Sequence, residues 1–100
     1  MSRLVFRPRA VRDMEQIWTW TAGRWGAAQA ERYLRRIQDV CAALAGGDLP
    51  GADASDIRPG YRKARAGRHL VFFRRQPDAS VEVVRILHER MDVGSRLRDE

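Results

Sequence analysis

The chain has 100 residues, 44% of them hydrophobic, which allows one domain with a modest core and leaves no room for two. No apolar run approaches the roughly 18 residues of a membrane span, and charged residues are spread through the first fifteen positions, so we expect a cytoplasmic protein with neither membrane span nor export signal. The formal net charge of +6, with 18 Arg and one Lys, favours nucleic acid or an acidic polypeptide as a partner.

The N-terminal half is predicted to form a short strand and two helices. Residues 3–7 form the strand, which Pro8 ends because proline lacks an N–H for the sheet ladder. Pro8 also suits the first turn of a helix that ends at Gly26. The predicted core face of this helix comprises Val11, Met14, Trp18, Thr21, Ala22 and Trp25. The second helix spans 27–45, and its predicted core face comprises Ala30, Leu34, Ile37, Cys41 and Leu44, with Arg32, Arg35, Arg36 and Asp39 facing outward.

The C-terminal half is predicted to contain three strands. Residues 46–56 are rich in Gly, Asp, Ala and Pro and have no periodicity, which indicates a surface loop. Pro59 and Gly60 predict a type II turn, because Pro fixes its second position and Gly accepts the positive φ that follows. Strands are expected at 61–66, 68–75 and 81–89, and a short helix or frayed tail at 94–100. The predicted fold is α+β, of order β-α-α-β-β-β: an antiparallel sheet with an α-helical hairpin packed on one face, as a single domain over 1–100.

A few side chains could mark a site. Cys41 lies on the apolar face of a helix, where a buried thiol is expected in preference to a nucleophile, which needs an accessible, electropositive surrounding. Two His residues without a Cys or carboxylate cluster at ligand spacing predict no metal site. Trp20 lies nearly opposite the centre of the first helix's predicted core face, so it either caps a groove or contacts a partner.

Positive charge is concentrated in the later strands. Seven basic residues and no acidic residue fall between Arg58 and Arg75, whereas the helical half mixes both signs. The preference for Arg over Lys fits a GC-rich genome, but it does not explain this distribution. The field of the C-terminal half therefore favours an acidic partner, whose carboxylates Arg side chains bind in pairs.

Five motifs, taken in order, are typical of one protein family. They are Ala10-x-x-Asp13-x-x-x-Ile17-Trp18-x-Trp20, Trp25-Gly26-x-x-Gln29-Ala30-x-x-Tyr33, Arg58-x-Gly60-Tyr61-Arg62, Gly67-Arg68-His69-Leu70-Val71-Phe72-Phe73-Arg74 and Val84-Arg85-Ile86-Leu87-His88-x-Arg90-Met91-Asp92. In this order and spacing the chain resembles a ParE-type toxin of a type II toxin–antitoxin system, within the RelE/ParE superfamily. One departure is Trp20, where members more often have Tyr.

The resemblance implies a toxin that is not an enzyme, needs no cofactor and inhibits DNA gyrase. It also implies a ParD-like antitoxin as partner, in a heterotetramer or larger hetero-oligomer, through which alone the toxin meets DNA. A disordered acidic antitoxin segment would fold on the helical hairpin and the basic sheet. The antitoxin contacts are assigned to Trp20, Arg62, Arg68 and Arg74. Target inhibition is assigned to His88, Arg90, Met91 and Leu97.

A RelE-like toxin that cleaves mRNA on the ribosome is the alternative. Such cleavage requires a general base, a general acid and cations on one face, for which the candidates are His69, His88, Lys63, Arg62, Arg68 and Arg85. Strand alternation puts His88 with Ile86 and Val84. Arg85 lies on the opposite face with Leu87, which argues against a catalytic ring. Direct nucleic-acid binding is a third reading, disfavoured because the aromatic residues do not alternate with basic ones on the strands as stacking platforms would.

Overall fold

A computed structural model describes residues 3–97 and contains one five-stranded sheet. Its strands are β1 (Leu4–Phe6), β2 (Ala52–Asp53), β3 (Arg62–Ala66), β4 (His69–Arg75) and β5 (Val81–His88), in the spatial order β1-β5-β4-β3-β2. The helices are α1 (Pro8–Trp25), α2 (Ala27–Gly46) and α3 (Val93–Leu97). α1 and α2 form a hairpin packed on one face of the sheet, which confirms the predicted α+β fold.

The sheet is mixed, so the prediction of a purely antiparallel sheet is wrong. β1 runs parallel to β5, with Leu4 opposite Val81 and Phe6 opposite Val83. The other three strand pairs are antiparallel. A two-residue hairpin imposes antiparallel pairing, but the whole helical hairpin and three further strands separate β1 from β5, so no turn constrains the direction of β1.

The sheet separates two hydrophobic cores. The larger core lies between the sheet and the helical hairpin, and its strand residues include Val71, Phe73, Val81, Val83 and Ile86. The smaller core lies on the opposite face and comprises Ala54, Tyr61, Phe72, Val84, Leu87 and Leu97. It is covered by the segment after β2 and by α3, neither of which was predicted to be a core element. The predicted surface loop at 46–56 therefore contains a short strand and the buried Ala54.

A β-bulge in β5 changes which of its residues face each core. Opposite Phe72 and Phe73 of β4 lie Arg85 and Val83, so Val84 is an extra residue between them. Val83 faces the helical hairpin, whereas Val84 faces the smaller core together with Leu87. The prediction that Val84 shares a face with Ile86 is therefore wrong, because simple alternation assumes that no residue is inserted in the strand.

The buried face of α1 differs from its predicted core face. The buried residues are Ala10, Asp13, Ile17 and Thr21. Val11, Trp18 and Trp25 are 41%, 38% and 66% exposed, so their assignment to the core is wrong. The predicted core face was chosen from the spacing of apolar residues, which counts an aspartate as a surface residue. Because Asp13 points inward, the buried face is rotated about the helix axis relative to the predicted one.

Asp13 joins α1 to β5 through three hydrogen bonds. The Arg85 guanidinium donates to its carboxylate from Nε at 2.8 Å and from Nη2 at 3.0 Å, and the backbone N–H of Ile86 donates at 2.9 Å. The side chains of Asp13 and Arg85 are 9% and 12% exposed, respectively. Because β1 pairs only with residues 81–83, the Asp13 carboxylate takes the place of a neighbouring strand at Ile86.

The remaining helical and turn predictions are largely confirmed. The five predicted core residues of α2 are all buried, and burial raises the pKa of the Cys41 thiol to about 12, which keeps it protonated at neutral pH. Gly60 has φ of +83°, and the Tyr61 N–H donates to the Arg58 carbonyl at 3.1 Å, as in a type II turn. The predicted short terminal helix is α3, while residues 98–100 of the tail lie outside the described residues. None of the helices within residues 3–97 has the length and apolar character needed to cross a membrane.

We expect Asp13→Ala to lower the free energy of unfolding by about 3–5 kcal/mol, because the largely buried Arg85 guanidinium would lose its carboxylate and the Ile86 N–H its acceptor. Urea denaturation followed by circular dichroism would measure this, with the milder Asp13→Asn as a second variant in case the first does not fold. Asp39→Ala on the exposed face of α2 is the matched control and should change stability by less than about 0.5 kcal/mol. Equal effects of the alanine variants at 13 and 39 would contradict the assignment.

Candidate functional site

A groove with a volume of about 360 Å³ opens between α1 and the ends of β4 and β5. It is lined by Asp13, Gln16, Ile17, Trp20, His69, Ile86, His88 and Met91. α1 forms one wall, the facing histidines at the start of β4 and the end of β5 form the floor, and Met91 follows β5. We refer to this depression as the histidine groove.

The histidine groove brings together residues that were predicted to serve two different partners. Trp20 was assigned to antitoxin contact, whereas His88 and Met91 were assigned to the target, yet all three line the same groove. Trp20 is 62% exposed and Met91 is 42% exposed. Arg90 is exposed between His88 and Met91. Residues that were assigned to two different partners thus line one groove.

Two of the four residues assigned to the antitoxin lie away from the groove and bind within the protein. Arg62 donates to the carbonyls of Pro50 at 3.2 Å and Gly51 at 3.0 Å, which holds the segment before β2. Arg74 donates twice to the Glu82 carboxylate, at 3.2 and 3.0 Å. These guanidinium groups support the sheet. The partners of Arg62 could not be predicted because β2 was not predicted, whereas Arg74 and Glu82 lie opposite each other on two predicted strands.

Arg68 remains near the groove, directly before the groove-lining His69. Its side chain is 72% exposed and lies 3.8 Å from the Glu89 carboxylate. Arg65 donates to the same carboxylate at 3.2 Å and thereby lowers the pKa of Glu89. At such exposure these ion pairs contribute little to stability, so Arg68 could exchange Glu89 for a carboxylate of a partner.

Leu97, the last residue assigned to the target, is fully buried in the smaller core. Its carbonyl accepts a hydrogen bond from Arg58 Nη1 at 3.1 Å. The predicted target contact by Leu97 is at odds with this burial, because α3 would have to detach before the side chain could reach another protein. The burial of Leu97 was not predicted, because the smaller core that receives it lies beneath the segment after β2 and produces no periodic pattern in the sequence.

The two histidines face each other across β4 and β5. His69 pairs with His88 in the sheet, and their rings meet edge to face with centroids 5.2 Å apart. Sequence reasoning weighed each histidine by itself, because nothing local indicated that the two strands bring them together. Among residues 3–97, no three His, Cys, Asp or Glu side chains lie close enough to hold a metal ion.

Tyr33 of α2 fixes the protonation of His69. The Tyr33 hydroxyl accepts the backbone N–H of Arg68 at 2.9 Å and lies 2.6 Å from His69 Nδ1. The phenol has one proton, which can be donated to the Ala66 carbonyl at 3.4 Å or to His69 Nδ1. We assign it to the shorter hydrogen bond, with Tyr33 as donor and His69 Nδ1 as acceptor, so that the imidazole is neutral with its own proton on Nε2. Burial, and then the charge of His88, lower the pKa of His69 from 6.5 to about 4.

The polar groups of the groove are largely engaged by the protein itself. His88 Nδ1 accepts the backbone N–H of Arg90 at 3.1 Å, and the Asp13 carboxylate is bound by Arg85 and Ile86. Lys63, another candidate for RNA cleavage, pairs in the sheet with Phe72 of the smaller core and so lies on the face opposite His69. The structure brings the two histidines together but does not bring Lys63 to them.

The turn between β3 and β4 is built around Tyr33. Gly67 has φ of +62°, and a Cβ at this position would lie 2.7 Å from Tyr33 Cε1 and 2.8 Å from its hydroxyl. A glycine is therefore required twice, for the left-handed backbone and for the close approach of the ring. Tyr33 was not among the predicted site residues: it lies next to the predicted core face of its helix, and its contacts are more than thirty residues away in sequence.

Comparison with known proteins gives consistent results. A family model described as the ParE toxin of the type II toxin–antitoxin system parDE matches residues 4–93. The chain is 44% identical over 96 residues to Toxin ParE1 of Mycobacterium tuberculosis, covering 96% of this chain and 98% of that protein. In fold it is similar to a chain of the chromosomal ParDE TA system from P. aeruginosa, with a TM-score of 0.76, 20% identity and coverage of 88% and 96%. It is also similar to a chain of the toxin–antitoxin complex RelBE2 from Mycobacterium tuberculosis, with a TM-score of 0.65, 18% identity and coverage of 87% and 96%.

We expect Gly67→Ala to lower the free energy of unfolding by about 1–3 kcal/mol, because alanine is strained at this positive φ and its methyl group would displace Tyr33. The matched control is Gly23→Ala in α1, where a Cβ meets nothing within 4 Å. That substitution should raise the free energy of unfolding by about 0.5–1 kcal/mol, since alanine is the better helix former. Urea denaturation distinguishes the two, and loss of the same sign at both positions would contradict the packing described.

We expect the free energy of unfolding to fall as the pH is lowered from about 6.5 towards about 4, because His69 has a pKa of about 4 in the fold against 6.5 when unperturbed. In this interval the unfolded chain binds a proton that the folded chain excludes, so stability rises with pH. The measurement is the difference between wild type and His69→Asn, whose side chain does not titrate. An NMR titration that puts the pKa of His69 at or above 6.5 would refute the expectation.

Proposed function

The chain belongs to the ParE toxin family of type II toxin–antitoxin systems, and from this premise we propose that it inhibits DNA gyrase and is neutralised by a ParD-like antitoxin. The proposal depends on one observation, the accessible apolar surface of the histidine groove. Trp20, Ile17, Ile86 and Met91 form its walls, while the Asp13 carboxylate and Nδ1 of both histidines are hydrogen-bonded within the protein. Such a groove suits an apolar side chain of a partner protein better than a phosphodiester.

We assign gyrase contact to His88 in the floor of the groove, to Met91 in its lining and to the exposed Arg90 between them in sequence. Leu97 acts indirectly, because its burial holds α3 and thereby the segment that follows β5. The Arg90 guanidinium can donate two hydrogen bonds to one carboxylate. Met91 has a flexible apolar side chain that can adapt to an uneven surface. The toxin acts by binding, without a catalytic residue.

We assign antitoxin contact to Trp20 and Arg68, and give Arg62 and Arg74 the structural role of supporting the sheet. An acidic antitoxin segment would place an apolar anchor beside Trp20 and a carboxylate near Arg68. Since Trp20 shares the groove with His88 and Met91, the bound antitoxin would exclude gyrase directly. The complex is a heterotetramer or larger and works in the cytoplasm.

Ribosome-dependent RNA cleavage is the second candidate, and the contact between His69 and His88 favours it. Cleavage needs one imidazole as a base and a protonated group as an acid near the leaving oxygen. His69 is neutral at physiological pH, its Nδ1 is occupied by Tyr33, and the Arg85 guanidinium is bound to Asp13. These engagements favour the binding role.

The decisive experiment compares purified toxin in gyrase supercoiling and in mRNA cleavage on translating ribosomes. We expect inhibition of supercoiling and no cleavage. Cleavage without an effect on gyrase, abolished by His88→Ala, would establish the alternative and overturn the proposal.

We expect Met91→Ala to weaken gyrase inhibition and Trp20→Ala to weaken antitoxin binding, each by about tenfold or more, as for anchor residues at interfaces. Inhibition curves and calorimetric titration with the antitoxin provide the measurements. The matched control is Trp25→Ala, since Trp25 is as exposed as Trp20 but is the last residue of α1 and does not line the groove. An equal loss on substitution of Trp25 would show that the groove is not the binding surface.

A further inference from the structure

Beside the histidine groove lies a second depression of about 340 Å³, between α1, β5 and α3. It is lined by Arg9, Arg12, Asp13, Gln16, Arg85, Ser95 and Arg96, and we refer to it as the arginine cleft. Asp13 and Gln16 line both depressions, so the two are continuous. The arginine cleft is almost entirely polar, whereas the histidine groove is mostly apolar.

The arginine cleft has a strong excess of positive charge. Asp13 is the one carboxylate among the described residues that line it, and Asp13 is already bound by Arg85 and the N–H of Ile86. The other charged side chains of the cleft are positive; Arg9 is engaged by a further interaction, which leaves Arg12 and Arg96. Arg12 and Arg96 are exposed and form no ion pair within residues 3–97.

Several arginines elsewhere on the described surface face carboxylates. Arg7 and Arg74 lie at 3.3 and 3.0 Å from Glu82, and Arg65 lies at 3.2 Å from Glu89. In the arginine cleft, by contrast, like charges from α1 and α3 share one depression. Such an arrangement raises the local potential and favours an anion between the guanidinium groups.

We propose that the arginine cleft binds the phosphodiester backbone of duplex DNA, and that the toxin thereby contacts the DNA held by the gyrase it inhibits; this last step rests on the proposed function. Guanidinium, amide and hydroxyl groups are the donors that contact phosphate oxygens in protein–DNA complexes, and Arg12, Gln16 and Arg96 supply the first two kinds. The described lining of the cleft itself contains no apolar side chain, which suits a phosphodiester backbone better than a peptide anchored within the cleft.

The proposal revises the expectation that DNA is reached only through the antitoxin. That expectation came from the family resemblance, and direct nucleic-acid binding was disfavoured by the lack of aromatic residues between the basic ones. This lack matters for single strands, because their bases stack on aromatic rings. Duplex backbone binding needs only cations and hydrogen-bond donors spaced along a surface. The relevant arginines also lie outside the basic strands, on α1 and α3.

The test measures binding of free toxin to two unrelated fluorescein-labelled duplexes of equal length, by fluorescence anisotropy over a range of salt concentrations. The variant is Arg12→Ala/Arg96→Ala. The matched control, Arg35→Ala/Arg36→Ala, removes the same charge from the exposed face of α2. Circular dichroism confirms that each variant is folded. We expect the cleft variant to bind both duplexes more weakly and to lower the salt slope by about 2, as for two lost phosphate contacts, with little change in the control.

The outcomes separate the cleft from the gyrase proposal. Equal weakening in both variants would mean general attraction by net charge and would overturn the cleft. Binding of poly-glutamate through Arg12 and Arg96, without duplex binding, would assign the cleft to an acidic peptide and also overturn it. Duplex binding that requires the cleft, in a toxin that leaves gyrase unaffected, would refute the proposed function alone. Full gyrase inhibition by the cleft variant would refute the contact with gyrase-held DNA.

Discussion

The carboxylate of Asp13 connects α1 to the open edge of β5, and the arrangement of the site follows from this contact. β1 is too short to pair with the end of β5, so the Ile86 N–H would lack an acceptor without the helix. With Asp13 turned inward, Trp20 points along the edge of the sheet, and Val11, Trp18 and Trp25 point to solvent. A buried charge pair rarely adds much net stability, but it is costly to break and sets one orientation of the helix above others.

Asp13 also lies at the boundary between two surfaces of opposite character. The apolar histidine groove extends from it towards Trp20 and Met91, and the polar arginine cleft extends from it towards Arg12 and Arg96. Because Arg85 cancels the negative charge of Asp13, the groove stays nearly neutral, while Arg12 and Arg96 keep the cleft positive. One helix therefore presents an apolar and a cationic site side by side, which suits a protein that would engage a DNA-bound enzyme.

Much of the fold could be predicted because local patterns specify it. The five core residues of α2 repeat at helical spacing, and Pro59-Gly60 specifies its turn through backbone geometry alone. The direction of β1, the inward Asp13 and the core beneath α3 depend on residues distant in sequence, so no local pattern indicates them. Of the residues that form the candidate groove, Trp20, His88 and Met91 were named from the sequence, whereas Tyr33, which binds His69, was not. Arg62 and Arg74 carry the right charge for a partner and are bound by neighbours that composition cannot reveal.

Because of the bulge at Val84, the number of residues in β5 matters independently of which side chains it carries. Each residue gained or lost within a strand exchanges the faces of the residues beyond it. Loss of one residue here would turn Ile86 and His88 towards the smaller core and Leu87 towards the helical hairpin. Asp13 would then lose the hydrogen bond from the Ile86 N–H, and His69 would lose its contact with His88. Substitutions in this strand could be absorbed singly, whereas a gap could not, so selection on this part of the chain would act first on spacing.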